Sequence, residues 1–505
     1  MNAVASSSQR RQRSVARASP SSPSSSRPTS SPSRSHTGSM SSTSLLKSLP
    51  VLALLSLATI ASLASTVEAA AFEPPGDQVL FGAWLDTQSG YHDTPSLFNQ
   101  RLGYNVPVFQ IAQDIPLPPY NYTTGAGGAA PESPIELSST DAAVFLTVYP
   151  TLGYDVLTTA DYQALAQQIS DYHTINNRTV FLRYAPEMQG YWNVLYGMRP
   201  VEFKASWAVL HAAVTALAPE TIFVWAPNTP QGYPYGQSFT QIPSSAADIA
   251  ALDTNGDGTL DAADDAFSPY YPGDDLVDWI GISLYYKGSE NSDIINAAQN
   301  SGYCSQAING TNPATGDAIS NWYQTYCAEK PTKACMFAES GAAWHVNDGG
   351  ISQLTIQNNW INDCLTNTSM YDAFPRLKMV MQFEYEKVET SNANTQDLRD
   401  YRITNDTGVL AEFINDLSPM ATRFSWANFR AKPTSISSAG APPPQTNSAG
   451  STVVEAITQT FRARPTTFPS LFGTTSDASQ RAEVIQLVAI VVSGIAGALT
   501  VMKML

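Results

Sequence analysis

FLRYAPEMQGYW, Phe181 to Trp192, is the stretch on which the reading of the whole chain turns. The residues around its start, Thr179, Val180, Phe181 and Leu182, form a short β-branched and aromatic run of the kind that makes a buried strand. The run breaks at Pro186 and delivers one carboxylate, Glu187. Met188, Gln189, Gly190 and two aromatics, Tyr191 and Trp192, follow. A second place has the same shape: ACMFAESG, 334–341, runs apolar into Glu339. Two acids at the exits of two buried strands predict an α/β fold with its chemistry where strands end.

Working outward, the spacing predicts eight strands: Val79–Leu85, Val106–Ala112, Ala142–Val148, Thr179–Tyr184, Ile222–Ala226, Leu276–Leu284, Ala334–Ala338 and Lys378–Phe383. Amphipathic segments such as Thr159–Thr174 and Pro200–Ala218 lie between them. Strands alternating with helices over 72–432 predict a (β/α)8 TIM barrel, with Glu187 after strand four and Glu339 after strand seven.

The ends of the chain read differently. Residues 1–43 are mostly Ser, Arg and Pro and hold too little apolar surface to fold. An apolar run from Leu45 to Leu63, then small residues near Ala69–Ala71, reads as a secretory signal peptide within a leader spanning 1–70. Translation from Met40 would give that signal ordinary proportions, and a membrane anchor is the alternative. Residues 433–483 form a Pro/Ser/Thr-rich stalk, and 484–505 a hydrophobic tail. Small residues, a polar spacer and an apolar terminus read as a GPI-attachment signal, with a retained membrane span as the alternative. The expected location is therefore secreted and tethered at the cell surface or cell wall.

Composition agrees with export. Charged residues are 14% of the chain, apolar residues 43% and aromatics 10%. The net charge of −16 repels phosphates and excludes a nucleic-acid partner. Four cysteines, Cys304, Cys327, Cys335 and Cys364, match no zinc spacing and predict two disulfides. Three pairings are open; the local one, Cys304–Cys327 and Cys335–Cys364, is expected. Sequons at Asn121, Asn177, Asn309, Asn367 and Asn405 suit a glycoprotein. A monomer is expected.

Paired carboxylates beside aromatic side chains are what retaining cleavage of a glycosidic bond needs. One acid protonates the leaving oxygen while the other attacks the anomeric carbon. In chain order, RYAPEMQGYW, WAPN at 225–228, YYPGDD at 270–275, VDWIGISLY at 277–285 and MFAESGA at 336–342 together resemble glycoside hydrolase family 26, in a pattern nearest its fungal members. The resemblance spans roughly 80–430. It implies a clan A retaining barrel acting on β-linked polysaccharide, β-mannan first, then β-1,3-xylan or β-glucan. It implies Glu187 as acid/base, Glu339 as nucleophile, Tyr285 as a hydrogen-bond donor to the nucleophile and Trp192 as a subsite wall. Arg183, Trp225, Asn228 and Trp344 are further candidate substrate-binding residues, and His345 is expected on the rim. Glu384 and Glu386 are extra acids near the mouth. Pro186 stands where the family usually places a histidine. Two rival readings are a cell-wall transglycosylase on the same scaffold and a catalytically inactive carbohydrate-binding wall protein.

Catalysis is expected to need no cofactor. A separate motif, DTNGDGTLDAAD at 253–264, has the oxygen spacing of a calcium loop, with Asp253, Asn255, Asp257, Thr259, Asp261 and Asp264 as candidate ligands of a structural calcium.

Overall fold

The computed structural model describes residues 69–87, 93–117, 138–242, 244–289, 293–391 and 395–430. The expected leader up to residue 68, the stalk, the hydrophobic tail and the Asn121 sequon lie outside these residues. No helix among the described residues is long and apolar enough to cross a membrane.

Eight parallel strands close into a barrel. They are β1 (Val79–Leu85), β2 (Val108–Asp114), β3 (Ala143–Tyr149), β4 (Val180–Tyr184), β5 (Ile222–Trp225), β6 (Trp279–Tyr286), β7 (Ala334–Ala342) and β8 (Leu377–Glu384). Each pairs with the next, and β8 returns to β1 over Leu80–Leu85. Helices run between the strands, including α1 (Thr159–Thr174) and α2 (Pro200–Leu217). The (β/α)8 architecture and all eight strands agree with the sequence reading, the ends moving by a few residues. A short antiparallel sheet of Trp344–His345, Glu386–Thr390 and Gln396–Asp400 is added to this frame.

Strand side chains alternate between two faces, and the barrel uses both. Leu80, Val108, Phe145, Phe181, Val224, Trp279, Met336 and Met379 meet as one apolar cluster inside the barrel. Their neighbours Phe81, Phe109, Val144, Leu182, Phe223, Phe337 and Val380 pack in the layer shared with the helices. That two-sided burial is why the strands are continuous apolar runs rather than alternating ones.

One irregularity positions Glu339. Along β6 and β7, Ile282 faces Phe337 but Ser283 faces Glu339, so Ala338 is skipped. The register between β7 and β8 also shifts between Phe337 and Ser340. Ala334, Met336 and Ala338 belong to the inner face. Without the bulge Glu339 would fall on the helix side. The extra residue turns it inward beside Ser283.

The disulfides correct the sequence reading. The bridges are Cys304–Cys364 and Cys327–Cys335, not Cys304–Cys327 and Cys335–Cys364. Packing decides this: helix Tyr303–Ile308 lies against the turn Ile361–Leu365, while Cys327 sits in the turn that leads directly into β7. Of the described sequons, Asn177, Asn309 and Asn405 are exposed, whereas Asn367 is half-buried and caps helix Thr368–Ala373 through Met370 N–H.

Candidate active site

At the C-terminal end of the barrel, β4 stops at Tyr184 and the chain turns sharply. Ala185 and Glu187 both take left-handed backbone conformations, with φ of 48° and 52°. Such geometry in non-glycine residues costs on the order of 1–3 kcal/mol each and persists only where the surroundings enforce it. Here they do. Ala185 N–H donates to the Val148 carbonyl (2.9 Å) and Glu187 N–H to that of Ala226 (3.1 Å). The Glu187 carbonyl accepts from Gly190 N–H (2.8 Å) and Asn193 Nδ2 (2.9 Å). Tyr196 Oη donates to the Pro186 carbonyl at 3.1 Å. Gln189 and Asn228 lock the turn to the end of β5: Gln189 Nε2 donates to the Asn228 carbonyl (2.8 Å), and Asn228 N–H donates back to Gln189 Oε1 (3.1 Å).

The side chain so positioned has one direct aromatic partner. Trp192 Nε1 donates to Glu187 Oε2 at 2.8 Å. Gly190 makes room for this arrangement, because a Cβ there would run into the Trp192 indole. Tyr235 meets the other side of Trp192 edge-on, with ring centroids 4.9 Å apart.

Glu339 is gripped by two donors. Arg183 Nη1 reaches Oε2 and Tyr285 Oη reaches Oε1, each at 2.6 Å. Arg183 is fully buried, and its Nη2 donates to Ser283 Oγ at 2.6 Å. The guanidinium thus ties Glu339 to the strand facing it across the bulge. Charge-assisted bonds of this length hold a carboxylate in a single orientation.

The two acids are electrostatically unlike. Burial raises the Glu187 pKa, and the negative charge of Glu339 raises it further. Arg183, a hydrogen bond from Ser283 and Lys287 oppose the shift without cancelling it. Tyr149 lies in the same field: burial and then Glu339 hold its phenol well above the ordinary tyrosine range. A half-buried acid biased toward its protonated form lies in the field of a carboxylate held by a cation and a phenol. Such an arrangement can offer a proton donor and an oriented anion.

Most of the residues read from sequence meet here: Glu187, Glu339, Arg183, Tyr285, Trp192 and Asn228. Arg183 and Asn228 hold other parts of the site through the contacts given above. Trp225 does not belong to it. It is fully buried on the helix side of β5, against Tyr271 and Tyr326 at 5.0 Å each and Phe267 at 6.4 Å. Its neighbour Val224 takes the inner face instead. Trp344 is half-buried on the short strand beside Asp400. His345 is not on the rim. It is fully buried, with Nδ1 bound to Asp397 (2.5 Å) and Nε2 to the Lys287 carbonyl (3.0 Å).

The extra acids also separate. Met379 and Met381 face inward on β8, so Glu384 falls on the opposite face, fully buried and accepting from Ile403 N–H (3.0 Å) and Thr404 Oγ1 (3.2 Å). Glu386 pairs with Arg402 at 2.8 Å. Neither competes with Glu339 for its place.

The sequence reading missed an aromatic group at the mouth. Phe383 stacks on Tyr385 with centroids 4.7 Å apart, and Trp84 meets both edge-on. Tyr285 and Tyr401 pack edge-on against Phe383 from the other side. Trp84, Tyr285 and Tyr385 remain partly exposed. Aromatics at strand ends were the available signal, but only pairing showed that they share one face.

The acidic loop is closed largely on itself. Asp253 Oδ2 accepts from Gly258 N–H (3.0 Å), Asn255 Oδ1 from Asp257 N–H (2.9 Å) and Asp257 Oδ1 from Thr259 N–H (2.8 Å). Asp264 accepts from the backbone of Thr254 (2.8 Å) and Asp261 (3.0 Å). Asp253 Oδ1 is buried without a partner. Among the described residues, the convergent groups of three or more acidic, His or Cys side chains are Cys304–Asp363–Cys364 and His345–Asp348–Asp397. The loop carboxylates are not drawn together in this way, so the donor set fits a cation only in part.

No family model matches the chain, and no curated protein matches it. Solved structures to which the chain is similar include the catalytic domain of a GH26 endo-β-1,4-mannanase from Bacillus sp. JAMB-750, at 14% identity, covering 69% of this chain and 87% of that one, with a TM-score of 0.41. A β-mannanase from a symbiotic protist of the termite Reticulitermes speratus, complexed with gluco-manno-oligosaccharide, is 13% identical over 69% and 89% of the two chains, with a TM-score of 0.37. A GH128 endo-β-1,3-glucanase from Amycolatopsis mediterranei is 11% identical over 66% and 98%, with a TM-score of 0.33.

Proposed function

We propose that this protein is a retaining glycoside hydrolase acting on β-linked polysaccharide. The observation that carries the proposal is the asymmetry of the acid pair: half-buried Glu187 with its pKa raised by desolvation, and Glu339 held by Arg183 and Tyr285. Glu339 attacks the anomeric carbon while Glu187 gives its proton to the departing glycosidic oxygen. Glu187, now a carboxylate, then takes a proton from water, whose oxygen displaces Glu339 from the sugar. Trp192 orients Glu187 through its indole N–H, and the partly exposed aromatics at the mouth offer faces on which sugar rings can stack.

β-Mannan is the first polymer to try, on the strength of the sequence motifs, with β-1,3-xylan and β-glucans next. Export belongs to the same proposal and is supported by the two disulfides, which persist in oxidising compartments. The test is reducing-sugar release from these polymers by the secreted protein, by Glu187→Ala and by Glu339→Ala. We expect each substitution to lower release by at least about 100-fold. On an aryl β-glycoside, whose leaving group needs no protonation, azide should restore turnover to Glu187→Ala, because a small anion needs no base to attack the glycosyl–Glu339 intermediate. Unchanged release in both variants overturns the mechanism. Binding without release by the unmodified protein would favour the wall-binding reading, and longer products from short donors would favour transglycosylation.

A further inference from the structure

The chain carries 43 acids against 27 basic residues, yet two ammonium groups stand beside the acid pair. Lys287 directly follows β6, and its Nζ lies 5.4 Å from the centre of the Tyr285 ring, the phenol that holds Glu339. Lys387, on the strand Glu386–Thr390, lies 4.9 Å from the centre of Phe383 in the aromatic group. Their side chains are 40% and 42% exposed. Neither has a carboxylate to itself. Lys287 is 3.4 Å and Lys387 2.8 Å from one residue, Glu389, which also takes Arg399 Nη1 at 3.0 Å and the Tyr401 hydroxyl at 2.6 Å. Arg399 has further carboxylates in Asp397 and Asp293. Among the described residues the two lysines therefore share one ion-pair partner, which is itself nearly sequestered, with 15% of its side chain exposed.

Both charges are felt at the acids. Lys287 acts on Glu187, opposing the burial and the Glu339 charge that raise its pKa. Against burial, which lowers it, Glu389 and then Glu339 and Glu187 raise the pKa of Lys387.

We propose that Lys287 and Lys387 form an anion-binding subsite next to the cleavage point, and that the preferred substrate is a β-linked polysaccharide bearing carboxylate or sulfate groups. The argument is one of charge balance and place. Two partly exposed side chains place their ammoniums against Tyr285 and Phe383, and among the described residues they share Glu389 as their ion-pair partner. An incoming anionic substituent supplies the second negative charge, in a site whose aromatic walls reduce solvent screening. Neutral polymer leaves that position to water. This proposal rests on the hydrolase reading above.

The test compares matched substrates: neutral, C6-oxidised and sulfated forms of the same β-linked polymer, for each backbone under trial, using the full-length secreted protein. We expect kcat/KM to favour at least one charged form over its neutral parent by about tenfold, the scale of one charge-assisted hydrogen bond. The oxidised and sulfated arms tell carboxylate from sulfate. The double variant Lys287→Gln/Lys387→Gln should lose that ratio, whereas Lys287→Arg/Lys387→Arg should keep most of it. Melting curves of each variant establish that it is folded. Rising ionic strength should erode the preference in the unmodified protein. Cleavage of neutral and charged forms at equal rates, or a ratio that survives loss of both lysines, overturns the subsite. A failure of the hydrolase reading looks different: no release from any form, with Glu339→Ala indistinguishable from the unmodified protein.

Discussion

Replacing Glu384 with Gln tests the burial logic of the barrel mouth and separates this acid from the proposed catalytic pair. Glu384 is fully buried beside β1 and accepts from Ile403 N–H and Thr404 Oγ1. Arg101 reaches Thr404 but is engaged by Asp93 through two hydrogen bonds. Burial is the largest influence on Glu384 and raises its pKa from 4.5 to about 8; the Ile403 bond pulls the other way, Asp93 adds to the rise, and Arg101 opposes it. Between those pH values the folded protein keeps a proton that the unfolded chain has lost. Stability therefore falls as pH rises from about 4.5 and levels off above about 8. At ~1.36 kcal/mol for each pH unit, the loss over that window is on the order of 5 kcal/mol. Glu384→Gln preserves the shape and the acceptor but cannot ionise. Its stability should show a correspondingly shallower fall over the same window, and at pH 8.5 it should exceed that of the unmodified protein. Equilibrium urea unfolding at pH 4.5, 6, 7 and 8.5 reads both quantities. Sugar release near neutral pH should persist in the variant, because the Glu384 side chain faces away from the inner face of β8. Parallel stability–pH curves for the two proteins would refute the argument. A loss of turnover as deep as that of Glu339→Ala would refute the placement.

Two further outcomes follow from the site and the loop. Ser283 lowers the Glu187 pKa through its hydrogen bond. A general acid works below its pKa and fails as pH rises through it, so Ser283→Ala should move the alkaline limb of kcat/KM to higher pH; an unmoved or lower limb would contradict the assignment of Glu187 as the acid. At the acidic loop we propose that calcium satisfies the buried Asp253 Oδ1. Saturating calcium should then raise the melting temperature by a few degrees over EDTA, from about 3 kcal/mol of linkage at a hundredfold excess over Kd, with the gain absent in Asp253→Ala. Coincident melting curves in calcium and EDTA would exclude the ion.

The alternation of strands and helices was legible because it is local. Apolar runs such as Val79–Leu85 and Val180–Tyr184 form strands in any context that buries both faces, and the amphipathic period of Thr159–Thr174 marks a helix without reference to its neighbours. Glu187 and Glu339 stood out for the same reason, as acids ending apolar runs. Which face each side chain takes was a matter for pairing. β5 reads Ile-Phe-Val-Trp with no polar residue to mark a side, so only closure of the barrel could turn Trp225 outward and Val224 inward. The bulge at Ala338 that brings Glu339 inward is a mismatch between two strands, and one strand alone carries no record of it. Cysteine pairing followed the packing of Tyr303–Ile308 on Ile361–Leu365 rather than distance along the chain. The gathering of Trp84, Tyr285, Phe383, Lys287 and Lys387 at one mouth required strands one, six and eight to meet. Sequence determined which segments become strands and which acids end them, because those depend on neighbouring residues. Tertiary structure decided what those acids face, because sheet register and closure are contacts between residues far apart in the chain.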